Sequence, residues 1–159
     1  MVTTSSYSVI DRPAQAVLPS LRDTGVDARL VRQEWLTFRK TVEARTFPTH
    51  AWGTSITYGD PDALTNLVAS NSPTAQYERF SDERVDSLLA QGRRERDKGK
   101  RADIYHEVET RLLDLLPWTY TVRRVQAEAM RDYVKGYAHP PTGAWTQTSL
   151  RSAWLERRS

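Results

Sequence analysis

Apolar residues in the first part of the chain recur at spacings that predict a strand, a helix and a second strand. Val2 to Tyr7 combines hydroxyl, branched and aromatic residues, which favours a strand. Helical spacing is shared by Ala14, Val17, Leu18 and Leu21. Thr24-Gly25 supplies the stop, and Pro19 is expected to kink or shorten this helix. Alternation predicts a strand at Val26 to Val31, parallel to the first strand.

The next part of the chain reads as short helices separated by a strand and loops. A second helix is predicted by apolar residues spaced by three and four: Trp35, Phe38 and Val42. Phe47 to Thr57 predicts a strand that leads into a loop at Tyr58-Gly59-Asp60-Pro61. We expect a short helix at Asp62 to Val68 and a loop at Asn71-Ser72-Pro73-Thr74.

Two long amphipathic helices follow. Ser81 provides a capping hydroxyl for the first, and Asp82 and Glu83 face its positive end. Its predicted core positions are Val85, Leu88 and Leu89. Asp97 is the predicted cap of the second helix, which Pro117 ends. The apolar stripe of that helix comprises Ile104, Val108, Leu112, Leu115 and Leu116.

Beyond Pro117 the pattern weakens. Trp118, Tyr120 and Val122 alternate with polar residues and predict a strand, and Ala127 to Met130 is a candidate for another. The prolines, Gly143 and scattered tryptophans that follow His139 predict an irregular tail.

Composition narrows the function classes. The 159 residues are 38% hydrophobic and 27% charged, which predicts a folded chain. The 23 basic and 20 acidic residues give a net charge of only +3, which argues against a nucleic-acid partner. The basic residues between Arg93 and Arg101 are interrupted by acids and read as a solvated helix junction. Zero cysteines excludes disulfides and thiolate metal sites.

Candidate catalytic chemistry is sparse. His50, His106 and His139 are isolated from one another, and there is no nucleophile elbow or phosphate-binding glycine loop. His106 and Glu109 lie three apart on one helix, a pair that is common by chance. We therefore predict no catalytic residues, no metal and no cofactor, and an enzyme is the weakest hypothesis.

The order of motifs from Tyr77 to Tyr137 resembles the C-terminal part of the family 5 extracellular solute-binding proteins, the dipeptide and oligopeptide receptors of ABC importers. The matching elements there are Phe80-Ser81, Val85-Asp86-Ser87-Leu88-Leu89, Asp97 to Arg101, Ile104-Tyr105, Pro117-Trp118 and Val134-Lys135-Gly136. Upstream, the same pattern is matched by Leu21 to Val31, Trp35, Ala51-Trp52 and Asp60-Pro61.

The resemblance implies an α/β fold with a mixed sheet flanked by helices, the incomplete C-terminal lobe of a two-lobe, type II periplasmic-binding-protein-like receptor. Residues 1–117 would form part of that lobe, and residues 118–159 would be crossover strands and a tail that return to a missing N-terminal lobe. The apolar side chains of Trp145, Leu150, Trp154 and Leu155 would then lack a partner surface.

The function implied by the resemblance is capture of an extracytoplasmic solute, such as a peptide, sugar or other small polar solute, for an ABC permease. The parent receptor would be in the periplasm or at the cell surface, whereas the start of this sequence has no export signal and no stretch long enough to span a membrane. The alternative is a stand-alone truncated protein that keeps the lobe for interaction or structure without transport.

The segment from Ala51 to Pro61 is the predicted ligand site. By resemblance it carries a Trp, an Asp that pairs with a peptide amino terminus, and an Asp-Pro that opens a helix. Here the position of the expected Asp is occupied by Thr57 when it is counted back from Asp60-Pro61, or by Ser55 when it is counted on from Trp52. Asp60 is expected to cap the next helix, and Trp52 is either a ligand-stacking or a core residue. The candidate ligand-binding residues are Trp52, Thr54, Ser55, Thr57, Tyr58 and Arg123. Arg123 and Arg124 would point to opposite faces of a strand, one of them toward the cleft.

Overall fold

The computed structural model of the chain describes residues 1–54, 59–123, 125, 127–138 and 150–156. Its helices are α1 (Ser8–Asp23), α2 (Trp35–Glu43), a 3-10 turn (Pro61–Leu64), α3 (Thr65–Val68), α4 (Pro73–Glu78), α5 (Glu83–Arg94) and α6 (Lys98–Leu115). Its strands are β1 (Val2–Thr4), β2 (Val31–Gln33), β3 (Val134–Lys135) and β4 (Trp154–Leu155). The α/β class is confirmed. Within the described ranges the strands form two separate pairs, β1 with β2 and β3 with β4.

The first unit is strand, helix, strand, and its two strands are parallel as predicted. Val2 lies opposite Val31, and Thr4 opposite Gln33. The predicted bounds of the second strand were wrong, because β2 only begins at Val31. Ala28 lies in an irregular segment instead, since its carbonyl accepts hydrogen bonds from the Arg22 guanidinium at 3.2 and 3.1 Å rather than from a neighbouring strand.

Helix α1 runs through Pro19 to Asp23, so the expected shortening does not occur. Pro19 and Gln15 are both exposed. The Gln15 carbonyl, which loses its helical donor to the proline, can therefore bind water. The predicted stop is confirmed: Gly25 has a φ of +86° and lies just after the helix.

Of the strand predicted at Phe47 to Thr57, residues 47–54 are described, and their strand pairing is a parallel bridge between Val2 and His50. The bridge consists of two 2.9 Å bonds, from Val2 N to Thr49 O and from Ala51 N to Val2 O. The loop predicted at residues 71–74 is confirmed only for Asn71 and Ser72, because α4 begins at Pro73. The Ser72 hydroxyl accepts a hydrogen bond from Ala75 N, and Pro73 occupies the first turn of α4, where it needs no donor.

Helices α5 and α6 pack face to face around a buried cluster. It comprises Val68, Ala69, Val85, Leu88, Leu89, Tyr105, Val108 and Leu112. The close approach depends on Gly92, where an added Cβ would lie 2.7 Å from Tyr105 Cε2. Leu115 and Leu116 were predicted in this core but are exposed, because α6 ends there and Leu116 adopts a left-handed φ of +44°.

The caps of both long helices are carboxylates. Asp82, not the predicted Ser81, caps α5 by accepting a 2.9 Å bond from Val85 N. Asp97 caps α6 as predicted, with a 2.9 Å bond from Lys100 N. Arg111 of α6 donates two bonds to Asp82 Oδ2, so this cap also joins the two helices.

Acid should weaken the fold partly through Asp82. The Arg111 side chain, followed by the Val85 amide, holds the pKa of this carboxyl below its ordinary value. The charged form therefore stabilises the fold above the unfolded pKa of about 3.9, and this contribution is lost as the pH falls through the lower folded pKa. We expect Asp82→Asn, which can still cap, to show a shallower loss of unfolding free energy below about pH 4.

Urea unfolding over a pH series measures this slope. Asp27→Asn is the matched control, because Asp27 is a highly exposed partner of Arg29. Equal acid slopes for wild type and Asp82→Asn would contradict the assignment.

The region after α6 differs most from the sequence-based expectation. The strands predicted at residues 118–122 and 127–130 are absent from the described part of the chain. Trp118 instead packs on Phe80 with ring centroids 5.5 Å apart. The regular pairing here is antiparallel, between β3 and β4. The large apolar side chains left exposed are Tyr120, Val122, Val125, Met130, Leu150, Trp154 and Leu155. Trp145 lies outside the described residues.

Candidate functional site

Three parallel backbone segments end at one edge of the first sheet. Strand β1 leads to Tyr7, β2 leads to Trp35, and the bridge at His50 leads to Trp52. In open α/β structures, ligands bind at the carboxyl ends of the parallel strands. This edge is therefore the candidate site, and it includes the predicted residue Trp52.

Aromatic rings cover the edge. Tyr7 meets Trp35 edge to face at 4.9 Å between centroids, and Trp35 lies 5.6 Å from Trp52. Trp52 stacks on the fully buried Phe38 at 5.5 Å with an interplanar angle of 22°. Trp52 is still 43% exposed. One side of its indole thus packs on the hydrophobic core while part of the ring remains accessible.

Hydroxyl groups fix the turn from β1 into this edge. Ser6 Oγ accepts a 3.1 Å bond from Trp35 N, and Ser6 N donates to Thr4 Oγ1 at 3.2 Å. Thr54 follows Trp52 and is exposed. The predicted residues Ser55, Thr57 and Tyr58 lie outside the described residues.

Asp60 fixes the far end of the candidate segment. Its carboxylate accepts Asp62 N at 2.8 Å, which confirms the predicted capping role, and two bonds from the Arg101 guanidinium at 3.1 and 2.7 Å. Those Arg101 bonds are the main reason that the pKa of Asp60 lies below its ordinary value. Arg101 also donates to Gly92 O at 2.9 Å, so the segment is joined to both α5 and α6.

Loss of the Asp60 carboxylate charge should loosen this junction. In Asp60→Asn a neutral amide replaces the carboxylate that accepts both Arg101 bonds. We therefore expect the Asp62 backbone amide to exchange faster with solvent. Amide exchange followed by NMR measures this, and Asp27→Asn again serves as the control. An unchanged Asp62 exchange rate would show that Arg101 does not hold the junction.

Comparison with known proteins identifies relatives of the chain. No family model matches the chain. The periplasmic oligopeptide-binding protein OppA of Escherichia coli is 31% identical over 121 residues, which are 73% of this chain and 21% of that protein. The structure of OppA from Burkholderia pseudomallei superposes with a TM-score of 0.81 at 19% identity, covering 98% of this chain and 30% of that one.

The chain is related to the family 5 extracellular solute-binding proteins. Another solved relative is the PBP AgaA of A. tumefaciens R10 in complex with agropinic acid, with 25% identity, a TM-score of 0.76 and coverage of 99% of this chain and 34% of that chain. The fold is that of part of a type II periplasmic binding protein. The chain spans about a fifth of the curated relative and about a third of the solved structures.

No described contact brings Arg123 to the aromatic edge. It lies exposed in the irregular segment after α6, and it makes no hydrogen bond or ion pair with the described residues. The expected strand, which would have fixed its direction, is not formed at residues 118–123. Arg124 lies outside the described residues.

Sequence reasoning missed Tyr7, Trp35 and His50 as neighbours of Trp52. Tyr7 was assigned to a strand, Trp35 to a helix, and His50 was considered only as an isolated histidine. The available signal was that Tyr7 is the last residue of the first predicted strand and Trp35 comes shortly after the second, and the carboxyl ends of parallel strands meet at one edge. Among the described residues, no helix is long and apolar enough to cross a bilayer, and no group of three or more His, Cys, Asp or Glu could hold a metal ion.

Proposed function

We propose that the chain contributes the C-terminal-lobe part of a substrate-binding component of an ABC importer, which captures an extracytoplasmic solute. The observation that carries the proposal is Trp52, which is half exposed at the carboxyl edge of the parallel strands and backed by Phe38 and Trp35. The relationship to periplasmic receptors supports the same role. Such a site binds its solute and leaves it chemically unchanged.

The proposed solute is neutral or rich in hydroxyl groups, such as a sugar or a modified peptide. Between Trp52 and Gly59 the sequence offers hydroxyls and aromatic rings but no carboxylate. An ammonium enclosed without a counter-charge costs several kcal/mol, whereas stacking and hydroxyl hydrogen bonds need no compensating charge. One relative is named for oligopeptides and another was solved with agropinic acid, so a solute other than a free peptide is compatible with the relatives.

The proposal assigns residues 1–117 to one lobe and residues 118–159 to the return toward a second lobe that would close over the solute. The exposed apolar side chains after α6 support it, because Tyr120, Val122 and Leu155 are each about two-thirds exposed. A second lobe would cover such groups and would let Arg123 or Arg124 reach the cleft. The receptor's ABC permease is the proposed membrane partner.

The ligand class can be tested on this chain by NMR. One wall of a cleft binds weakly, so we expect a neutral disaccharide at millimolar concentration to shift the Trp52 indole N–H resonance more than the other indole resonances. A free tripeptide and its N-acetylated form should give equal shifts, because neither meets an acid in the 52–58 segment. Trp52→Ala should abolish the disaccharide-induced shifts of the remaining backbone and indole resonances, and Trp118→Ala should leave the Trp52 shift intact.

Two outcomes would contradict the proposal. A tripeptide response that disappears on acetylation would show that the amino terminus is the recognised group. A disaccharide response that survives Trp52→Ala would place the site elsewhere.

A further inference from the structure

Behind Trp52 lies a buried polar pair, His50 and Glu78. The His50 side chain is 5% exposed and the Glu78 side chain 15%, and His50 Nε2 lies 3.1 Å from Glu78 Oε1. The two groups are not aligned for a hydrogen bond, and Nε2 has no other partner among the described residues. The imidazole and the carboxylate are therefore in close polar contact without a directed hydrogen bond. A polar pair that is kept inside an aromatic cluster calls for a specific role.

The His50 ring packs against the Trp52 indole. Residues two apart along an extended segment share a face, and here the two rings meet edge to face at 6.1 Å with an interplanar angle of 70°. Phe38 contacts both rings, with centroids 6.2 Å from His50 and 5.5 Å from Trp52. Any rotation of the imidazole would therefore move the surface on which the indole rests.

The imidazole is held on its other sides. Its backbone is fixed by the bridge to Val2, and the Phe47 ring meets it edge to face at 4.4 Å. Glu78 approaches from a rigid position, because it is the last residue of α4 and is followed by the left-handed cap Arg79. The Glu78 carboxylate lies 3.1 Å from Nε2 and so limits the orientations that the ring can adopt.

We propose that Glu78 and His50 are positioning residues for Trp52: the Glu78 carboxylate fixes the imidazole, and the imidazole fixes the direction of the open indole face. The importance of this direction for a solute rests on the proposed function, whereas the positioning itself does not. The proposed role is positioning more than stability, because the attraction within a buried pair of this kind roughly offsets the desolvation cost of the two side chains. The pair is expected to act mainly by selecting one orientation of the imidazole.

The test compares Glu78→Ala and Glu78→Gln in the whole chain. Acrylamide quenching and the indole N–H resonance report on Trp52, and subtracting the same variants in a Trp52→Phe background removes the other tryptophans. We expect Glu78→Ala to raise the quenching of Trp52 by up to about twofold from its present 43% exposure and to shift its resonance. Glu78→Gln keeps the shape and one polar contact, so it should largely restore both signals.

Glu43→Ala is the matched control. Glu43 is the last residue of α2, its side chain is 42% exposed, and it pairs with Arg39 at 2.6 Å, so its loss should leave Trp52 unchanged. In a His50→Phe background, Glu78→Ala should have no further effect on Trp52. Trp52 signals that are the same in wild type and Glu78→Ala would overturn the proposal, as would an equal response to Glu43→Ala. A normal Trp52 response to Glu78→Ala with no disaccharide shift would leave the positioning intact and reject the proposed function.

Discussion

Phe38→Ala is expected to lower the free energy of unfolding by about 3–5 kcal/mol, the largest effect of any single truncation considered. Phe38 is fully buried on α2, where it packs in one cluster with Val2 and Val42 and contacts the rings of Trp35, His50 and Trp52. Removal of the ring leaves a cavity that these neighbours can fill only in part. Urea unfolding followed by far-ultraviolet circular dichroism measures the loss.

The same helix provides the control for this experiment. Leu36 is 65% exposed two residues away, so Leu36→Ala should change the unfolding free energy by no more than about 0.5 kcal/mol. If Phe38→Ala and Leu36→Ala have equal effects, α2 does not pack through Phe38 on Val2 of the parallel strands.

Leu88→Ala is expected to cost about 2–5 kcal/mol. Leu88 lies on α5, is 1% exposed, and belongs to the cluster shared with α6. The close contact between Gly92 and Tyr105 holds the two helices together nearby, so the backbone cannot easily collapse into the space. This resistance to collapse favours the upper part of the range.

Leu113 is the control for the α5–α6 pair, because it is a leucine of α6 that is 57% exposed. Leu113→Ala should be nearly neutral in the same urea titration. A loss below about 1 kcal/mol for Leu88→Ala would mean that the cluster is loosely packed.

The helices were largely predictable because their signals are local. The start of α6 is marked by Asp97 and its end by Pro117. The buried face of α5 follows from the spacing of Val85, Leu88 and Leu89. The cap at Asp82 was missed because Ser81 is an equally good capping residue by type, and the choice depends on the contact with Arg111. Strand bounds were less predictable. The alternation at Val26 to Leu30 does not form a strand up to Ala28, where the backbone turns with a bond from Ala28 N to Val26 O and the Ala28 carbonyl accepts from Arg22.

The candidate site shows the same division. Trp52 and Asp60 could be selected from one short segment and its motif. The association of Trp52 with Tyr7, Trp35 and His50 could not, because it depends on which strand lies beside β1 and in which register. Glu78, which contacts His50, is further still along the chain and lies at the end of α4, a helix whose first two residues fall within the predicted loop.

The Asp60–Arg101 pair has an evolutionary consequence. Together with the His50 bridge to Val2, it anchors both ends of a short stretch of chain to parts of the fold that are stabilised independently of what lies between. We therefore expect substitutions between Trp52 and Asp60 to carry a small penalty in folding. Under the function proposed above, a lineage built on this arrangement would acquire new solutes through changes in a few neighbouring codons, while its two hydrophobic clusters stay the same.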